Sequence, residues 1–407
     1  MKKGQKKNKK WIKKRHYVIT AILRKIIGPY TAWRYGIKVE RFKEQGDRAY
    51  LILFNHQTAF DQFFVAMAFK RPVYYMATED IFSKGWVSSL IRWLVAPIPI
   101  KKQTTDLAAV MNCIRVSKEG GTIAIAPEGN RTYSGKTTYI SPAIATLAKK
   151  MKLPIALFRI EGGYGVHPRW SDVVRKGKMR AYVSQVIEPE AYAALSNEEV
   201  YELIEKGLYV DEGNAEHVFK SAKRAEYLER AMYVCPYCGL SEFESKGNAI
   251  TCRKCNRRIL YGEDTSLKGD GFEFPYTFVS QWYEYQQDFV NALDVLEYRD
   301  IPIHKSNAML SEVIVNKHKK RLFDSAEITL YGDRITIDET EKTVLILPFE
   351  EVSAISVLGR NKLNIYHENK VYQLKSDKRF NALRYVNVYY RYKNISRGDT
   401  NGKFLGL

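Results

Sequence analysis

The chain has 407 residues, 45% of them hydrophobic, enough for two or three domains and more than one buried core, which excludes a single small module. Its formal net charge is +20 and is unevenly spread, because MKKGQKKNKKWIKKR holds nine Lys/Arg and no acid. No stretch approaches the roughly 20 apolar residues a spanning helix needs, which argues against an integral membrane protein.

The basic start reads as a solvated tail suited to anionic lipid or nucleic acid, or as a tail that only aids solubility. The run YVITAIL (17–23) is cut short by Arg24-Lys25 and has no small-residue cleavage site, so it is not a signal peptide. In WVSSLIRWLVAPIPI (86–100), residues Trp86, Leu90, Trp93, Leu94 and Pro97 fall near helical spacing. That face fits either a lipid interface or a core. The expected address is the cytoplasm, at the cytosolic face of a membrane.

From Tyr50 to about Pro189, strand-like and helix-like runs alternate. Strands are expected at 50–54, 73–77, 122–126, 154–160 and 181–187. Leu107, Val110, Met111 and Ile114 mark one helical face before Gly120-Gly121, and a second helix is expected at about 142–150. Alternation of this kind predicts an α/β unit with helices over a mostly parallel sheet, whose chemistry collects at the C-terminal strand ends. Two more helices are expected in EPEAYAALSNEEVYELIEKGLYV and AEHVFKSAKRAEYLERA, and another at 277–297.

Two polar loops follow strands of this unit. Asn55-His56 closes the first strand, and Asp61 opens the next apolar run. Five residues turn a helix by about 500°, so His56 and Asp61 meet only if the chain kinks between them. A carboxylate there would hold one imidazole N–H and leave the other nitrogen to accept a proton. A capping Asp61 beside a core His56 is the plainer alternative. The second loop, Pro127-Glu128-Gly129-Asn130-Arg131, offers backbone N–H groups and a guanidinium that can bind phosphate bidentately.

Together the two loops resemble the glycerolipid acyltransferases, the 1-acylglycerol-3-phosphate acyltransferase family, which carries an N-H-x4-D block and an F-P-E-G-T-R-S block in this order. Asn55-His56 to Asp61 matches the first block, and APEGNRT (126–132) matches the second at Pro127, Glu128, Gly129 and Arg131. The resemblance covers roughly residues 30–225. It implies that His56 deprotonates the hydroxyl of a lysophospholipid or glycerol phosphate, by default 1-acylglycerol-3-phosphate, with Asp61 orienting it. The alkoxide would attack the thioester of acyl-CoA or acyl carrier protein directly. Glu128, Gly129 and Arg131 would bind substrate. The family's intermediate block is altered here to APIPIKK (96–102), with no Gly, so Lys102 would meet phosphate only as a point charge. The later F-K-x-G stretch is not recognisable, and of V-P-I-V-P only LPIAL (153–157) remains. These departures keep open a second reading, an adaptor that retains the fold without useful turnover.

Cys235, Cys238, Cys252 and Cys255 form C-x2-C-x13-C-x2-C, a spacing that wraps one structural zinc between two knuckles. Paired disulfides are the alternative, disfavoured in a cytosolic setting. Arg253, Lys254, Arg257 and Arg258 crowd the second knuckle and read as a solvated basic face, with nucleic acid the weaker reading. From Ser325 the period becomes two: EITLY, RITIDE, TVLILPF, VSAISVL, KLNIYHE and KVYQLK, then the helix KRFNALRYVNVYYRYK. This pattern resembles a pleckstrin-homology or GRAM-like module; another small β-sandwich is the alternative. The expected divisions are a basic, membrane-proximal segment (1–29), an acyltransferase-like α/β unit (30–230), a zinc ribbon (231–262), a linker with a helix (263–305) and a pleckstrin-like β unit (306–396).

Overall fold

A computed structural model describes residues 10–78, 81–82, 85–100, 106–213, 217–314, 319–339, 342–399 and 404–406. Its first element, α1 (Lys14–Tyr35), was not expected from the sequence. The basic tail and the Arg24-Lys25 break hide it, but its cations are used: Arg24 donates to the carbonyls of Ala66, Phe69 and Lys70. The helix ends at Gly36, left-handed at φ 61°, where a Cβ would collide with the Gly177 carbonyl.

A seven-stranded sheet follows, in the order β1-β7-β6-β2-β5-β3-β4. Its strands are β1 (Ile37–Val39), β2 (Leu51–Phe54), β3 (Val73–Thr78), β4 (Ile98–Ile100), β5 (Thr122–Ile125), β6 (Ile155–Glu161) and β7 (Met179–Ile187). All pairings are parallel except β6 with β7. β2 lies at the centre, with Leu53 opposite both Ile125 and Leu157. Every residue of β2 and β5 is buried, as continuous apolar runs require when both faces of a parallel sheet are covered. The intervening helices are α2 (Asp61–Ala68), α3 (Trp86–Val95), α4 (Leu107–Lys118), α5 (Ala143–Met151), the single turn α6 (Gly163–Val166), α7 (Pro189–Ala193) and α8 (Asn197–Leu208). The mostly parallel α/β unit is therefore as the sequence predicts.

Two helical faces differ from the expectation. In α4 the buried residues are Ala109, Cys113 and Val116, while Leu107 and Met111 lie exposed. Small side chains let α4 approach the sheet closely, so Val110 and Ile114 of the expected face pack half-buried against the core while Leu107 and Met111 turn outward. In α3 the core reading fails, because Trp86, Leu90 and Trp93 are exposed and Ser88 is the buried residue.

The helix expected in AEHVFKSAKRAEYLERA is replaced, among its described residues, by turns and one 3-10 turn, Leu228–Arg230. Tertiary contacts override helix propensity here. Arg224 donates to the carbonyls of Ser221 and Tyr261, and buried Arg230 donates to the carbonyls of Trp170 and Lys378. A cysteine-bearing unit follows, with β8 (Val234–Cys235), β9 (Gly239–Leu240) and the antiparallel β10 (Phe243–Lys246), β11 (Ala249–Cys252), β12 (Arg258–Tyr261) and β13 (Leu267–Gly269). Then α9 (Val279–Ala292) is bolted to it, Trp282 Nε1 donating to the Val234 carbonyl at 2.9 Å.

The last unit is a second seven-stranded sheet, antiparallel throughout, in the order β17-β16-β15-β14-β20-β19-β18. It contains β14 (His304–Val313), β15 (Lys319–Leu330), β16 (Arg334–Glu339), β17 (Lys342–Pro348), β18 (Val352–Leu358), β19 (Lys362–His367) and β20 (Lys370–Ser376), closed by α10 (Ala382–Ser396). Its own core runs from Val295 to Tyr389. The cysteine unit is the keystone between the two sheets. One buried cluster joins Tyr133, Tyr164 and Trp170 of the α/β unit to Cys235, Trp282, Leu383 and Leu405. Among the described residues, no helix is long and apolar enough to cross a membrane.

Candidate active site

Because β2, β5 and β6 run parallel, their C-terminal ends share one edge, and the loops that leave them meet there. After Phe54 the side chain of Asn55 turns inward and pairs with the Ile160 backbone on both sides, N–H and C=O at 2.8 Å each. That double bond fixes the exit of the chain from β2. The kink 57–60 then brings Asp61, the first residue of α2, back under His56.

His56 Nδ1 lies 2.7 Å from Asp61 Oδ2. The carboxylate also accepts Gln57 N–H at 2.7 Å, Thr58 N–H at 2.9 Å and Thr58 Oγ1 at 2.6 Å. Asp61 is fully buried, and this set of donors holds it as an oriented acceptor facing the imidazole. With Nδ1–H committed to Asp61, Nε2 presents its lone pair, and it takes no bond among the described residues. The kink thus brings the two side chains together, as the expected pairing of His56 with Asp61 requires.

The second loop packs directly against the first. Thr132 N–H donates to the His56 carbonyl at 3.1 Å. Glu128 Oε1 accepts the His56 backbone N–H at 2.8 Å, and Oε2 accepts Thr138 N–H at 2.8 Å and its hydroxyl at 2.9 Å. Burial pushes the Glu128 carboxyl up to about 7, against the lowering effect of these donors. Gly129 is left-handed at φ 67°, and its N–H closes a turn onto the Ala126 carbonyl at 3.0 Å. Its role in the structure is therefore the bend that delivers Arg131. The Arg131 guanidinium makes no hydrogen bond or ion pair among the described residues, and its Nη1 is buried. Burial, then the charges of Arg169 and Arg360, pull Arg131 down to about 10, while nearby Asp61 acts the other way. Lys102 lies outside the described residues.

Two residues beside this site carry no sequence motif. His167 follows α6 at the end of β6, and Arg169 Nη1 donates to the Arg131 carbonyl at 2.9 Å. Only the fold brings them next to a loop more than thirty positions earlier.

The second constellation is the cysteine cluster. The sulfurs of Cys235, Cys238, Cys252 and Cys255 all lie within 4.8 Å of one another. Cys235–Cys255 at 3.8 Å and Cys238–Cys252 at 3.6 Å are far too long for S–S bonds. They are close to the ~3.8 Å between thiolates that a tetrahedral zinc with bonds of about 2.3 Å requires. The four side chains can hold a metal ion. Of the basic residues nearby, Arg253 pairs with Glu244, Arg258 with Asp270, and Arg257 lies 4.2 Å over the Tyr237 ring. They are engaged within the unit, as a solvated structural face would be.

Residues 37–160 match the protein family described as Acyltransferase. A 1-acyl-sn-glycerol-3-phosphate acyltransferase of Bacillus subtilis (strain 168) is 23% identical over 127 residues, 31% of this chain and 60% of that protein. The chain thus spans about 60% of the length of this curated relative. Among solved structures, the 1-acyl-sn-glycerophosphate (LPA) acyltransferase PlsC of Thermotoga maritima aligns with a TM-score of 0.40 and 21% identity, over 48% of this chain and 79% of that one. The N-terminal PH domain of human ARAP2 aligns with a TM-score of 0.19 and 17% identity, over 23% of this chain and 81% of that one.

Proposed function

We propose that the chain transfers a fatty acyl group from an acyl thioester, acyl-CoA or acyl carrier protein, to the hydroxyl of a lysophospholipid or glycerol phosphate, by default 1-acylglycerol-3-phosphate. The observation that carries this reading is the 2.7 Å His56–Asp61 contact at the C-terminal end of the central strand, with the unpartnered Arg131 in the adjoining loop. His56 Nε2 takes the acceptor's proton as its oxygen bonds to the thioester carbon. The tetrahedral intermediate then expels the thiolate, which takes that proton from His56 and leaves as the free thiol. Arg131 binds the acceptor's phosphate through its planar fork. Asp61 keeps its hydrogen bond to Nδ1–H throughout and so holds the imidazole in one tautomer.

The acceptor is presented by a membrane surface on the cytosolic side. Along α1, Val18, Ile22, Ile26, Tyr30 and Trp33 are exposed at three- and four-residue spacing, and α3, which packs beside it, exposes Trp86, Leu90 and Trp93. Trp33 is 79% and Trp86 77% exposed, a poor arrangement in water and a good one at a lipid interface. The Lys-rich start of the chain adds attraction to anionic headgroups. The cysteine cluster binds one structural zinc, and the C-terminal sheet closed by α10 is pleckstrin-like.

The test is a panel of acceptors offered to the full chain with labelled acyl-CoA and scored by lipid product. Transfer to phosphate-bearing acceptors supports the reading. Transfer to none of them, by protein that is folded and bound to vesicles, overturns it.

A further inference from the structure

We propose that Arg360, which belongs to the C-terminal β unit, forms part of the acceptor's phosphate site in the α/β unit. The inference rests on the acyltransferase reading above and adds to it a residue 228 positions beyond Thr132, where the two motif loops end.

Arg360 sits in the turn between β18 and β19, where left-handed Gly359, at φ 65°, projects it away from its own sheet. Arg360 Nη2 lies 2.6 Å from His167 Nε2, and Nη1 lies 3.1 Å from Asp172 Oδ1. His167 and Asp172 flank Arg169, whose guanidinium is bonded to the Arg131 carbonyl. The β18–β19 turn therefore reaches the wall of the site that holds Arg131.

The charges on that wall do not balance. Arg131, Arg169, Arg360 and Arg230 converge on two carboxylates: Asp172, already shared by Arg230 at 2.8 Å and Arg360 at 3.1 Å, and Asp61, near Arg131 but bonded to His56 and Thr58. The Arg131 guanidinium has no acceptor among the described residues, and Arg360 Nε is buried without one. Gathering cations in a desolvated place costs free energy unless an anion completes the set. A phosphate monoester supplies the missing charge and the missing acceptor oxygens together. Burial, Arg360 and Arg131 also lower His167 to about 3, which keeps its ring neutral and lets Nε2 accept from Arg360. Arg360 is thus held in place by a neutral acceptor and by a half-committed carboxylate, with its charge largely unspent.

The plain alternative is that Arg360 only latches the two units through Asp172. The two roles separate in steady-state transfer by the full-length protein, with 1-acylglycerol-3-phosphate and acyl-CoA each varied in turn. Arg360→Ala should raise the KM of the phosphate acceptor about tenfold, the loss of one charge-assisted contact, with the thioester KM within about twofold of wild type. Arg360→Lys should recover part of the loss. Asp172 also holds buried Arg230, so the latch is controlled for on the Arg360 variants themselves, through the thioester KM and the thermal midpoint. A latch predicts that Arg360→Ala shifts both KM values alike, in step with the thermal midpoint, with no selective recovery of the acceptor KM in Arg360→Lys. If Arg360→Ala does not fold, Arg360→Gln and Arg360→Lys decide between the two by the same split of the KM values. Wild-type transfer to phosphate acceptors with no specific effect of Arg360 removes this assignment alone. Wild-type transfer only to neutral monoacylglycerol removes both the acceptor reading and the role of Arg360.

Discussion

The carboxylate of Glu128 accepts the backbone N–H of His56 at 2.8 Å, so the two loops of the site are one hydrogen-bonded unit. Both Glu128 oxygens are spent on protein donors, His56 on one side and Thr138 on the other. Glu128, expected from the motif as a substrate-binding residue, has hydrogen bonds that suit it equally to bracing the loop that carries the imidazole. Glu128→Gln keeps one acceptor but turns an amide toward the Thr138 N–H. It should lower kcat by roughly 10–100-fold, the cost of a broken buried contact, with little change in acceptor KM. A large rise in acceptor KM at constant kcat would return Glu128 to the substrate.

The exposed aromatic residues of α1 and α3 should matter on vesicles and not in solution. Replacing Trp33, Trp86 and Trp93 together by Ser should weaken sedimentation with anionic liposomes by about tenfold or more, because each indole loses an interfacial seat. The thermal midpoint should hold, since all three are solvent-exposed. Unchanged liposome binding would move the membrane contact elsewhere.

One zinc per chain should be found by metal analysis. Four thiolates at this spacing leave no coordination position for water, so the metal has a structural part to play. Cys252→Ser should lower zinc occupancy and thermal stability together, with activity following the folded fraction. A folded, zinc-free variant that is wholly inactive would tie the cysteine unit to substrate.

Stability should fall in acid partly through His167. Its folded pKa, lowered from 6.5 to about 3, means the unfolded chain binds more protons between those values. The stability contributed by neutral His167 is therefore fully present above pH 6.5 and lost as pH falls toward 3, with buried His16 and partly buried His304, both lowered, acting in the same direction. Glu128 and Glu212, each pushed up from 4.5 to about 7, act oppositely: their contribution is present below pH 4.5 and lost as pH rises toward 7. Removing the histidine alone, His167→Gln should flatten the decline of melting temperature between pH 6.5 and 4. An unchanged slope would show that His167 is charged or exposed in solution.

Local signals carried much of this structure and stopped where distant contacts took over. The central parallel strands were legible because each is a short apolar run bounded by turns, whereas the three-residue edge strands β1 and β4 were too short to read, and the spacing of His56 and Asp61 allowed their pairing only through a kink. The four cysteines announced themselves by spacing. The face of α4 misled, since close packing chose Ala109 and Cys113 over larger neighbours. Residues 217–231 misled too, because a helix-like pattern gave way to Arg224 and Arg230 acting as bridges between units. His167 and Arg360 gave no signal at all; 193 positions separate them in sequence and 2.6 Å in space.

The most direct measurement compares wild type with His56→Ala for acyl transfer from labelled acyl-CoA to 1-acylglycerol-3-phosphate in vesicles. Loss of the positioned base should reduce the rate by roughly 10²–10⁴ or more, with melting temperature and liposome binding preserved. Asp61→Asn should follow it closely, because the imidazole loses its orienting carboxylate. A His56→Ala protein that retains most of the wild-type rate would contradict the account at its centre.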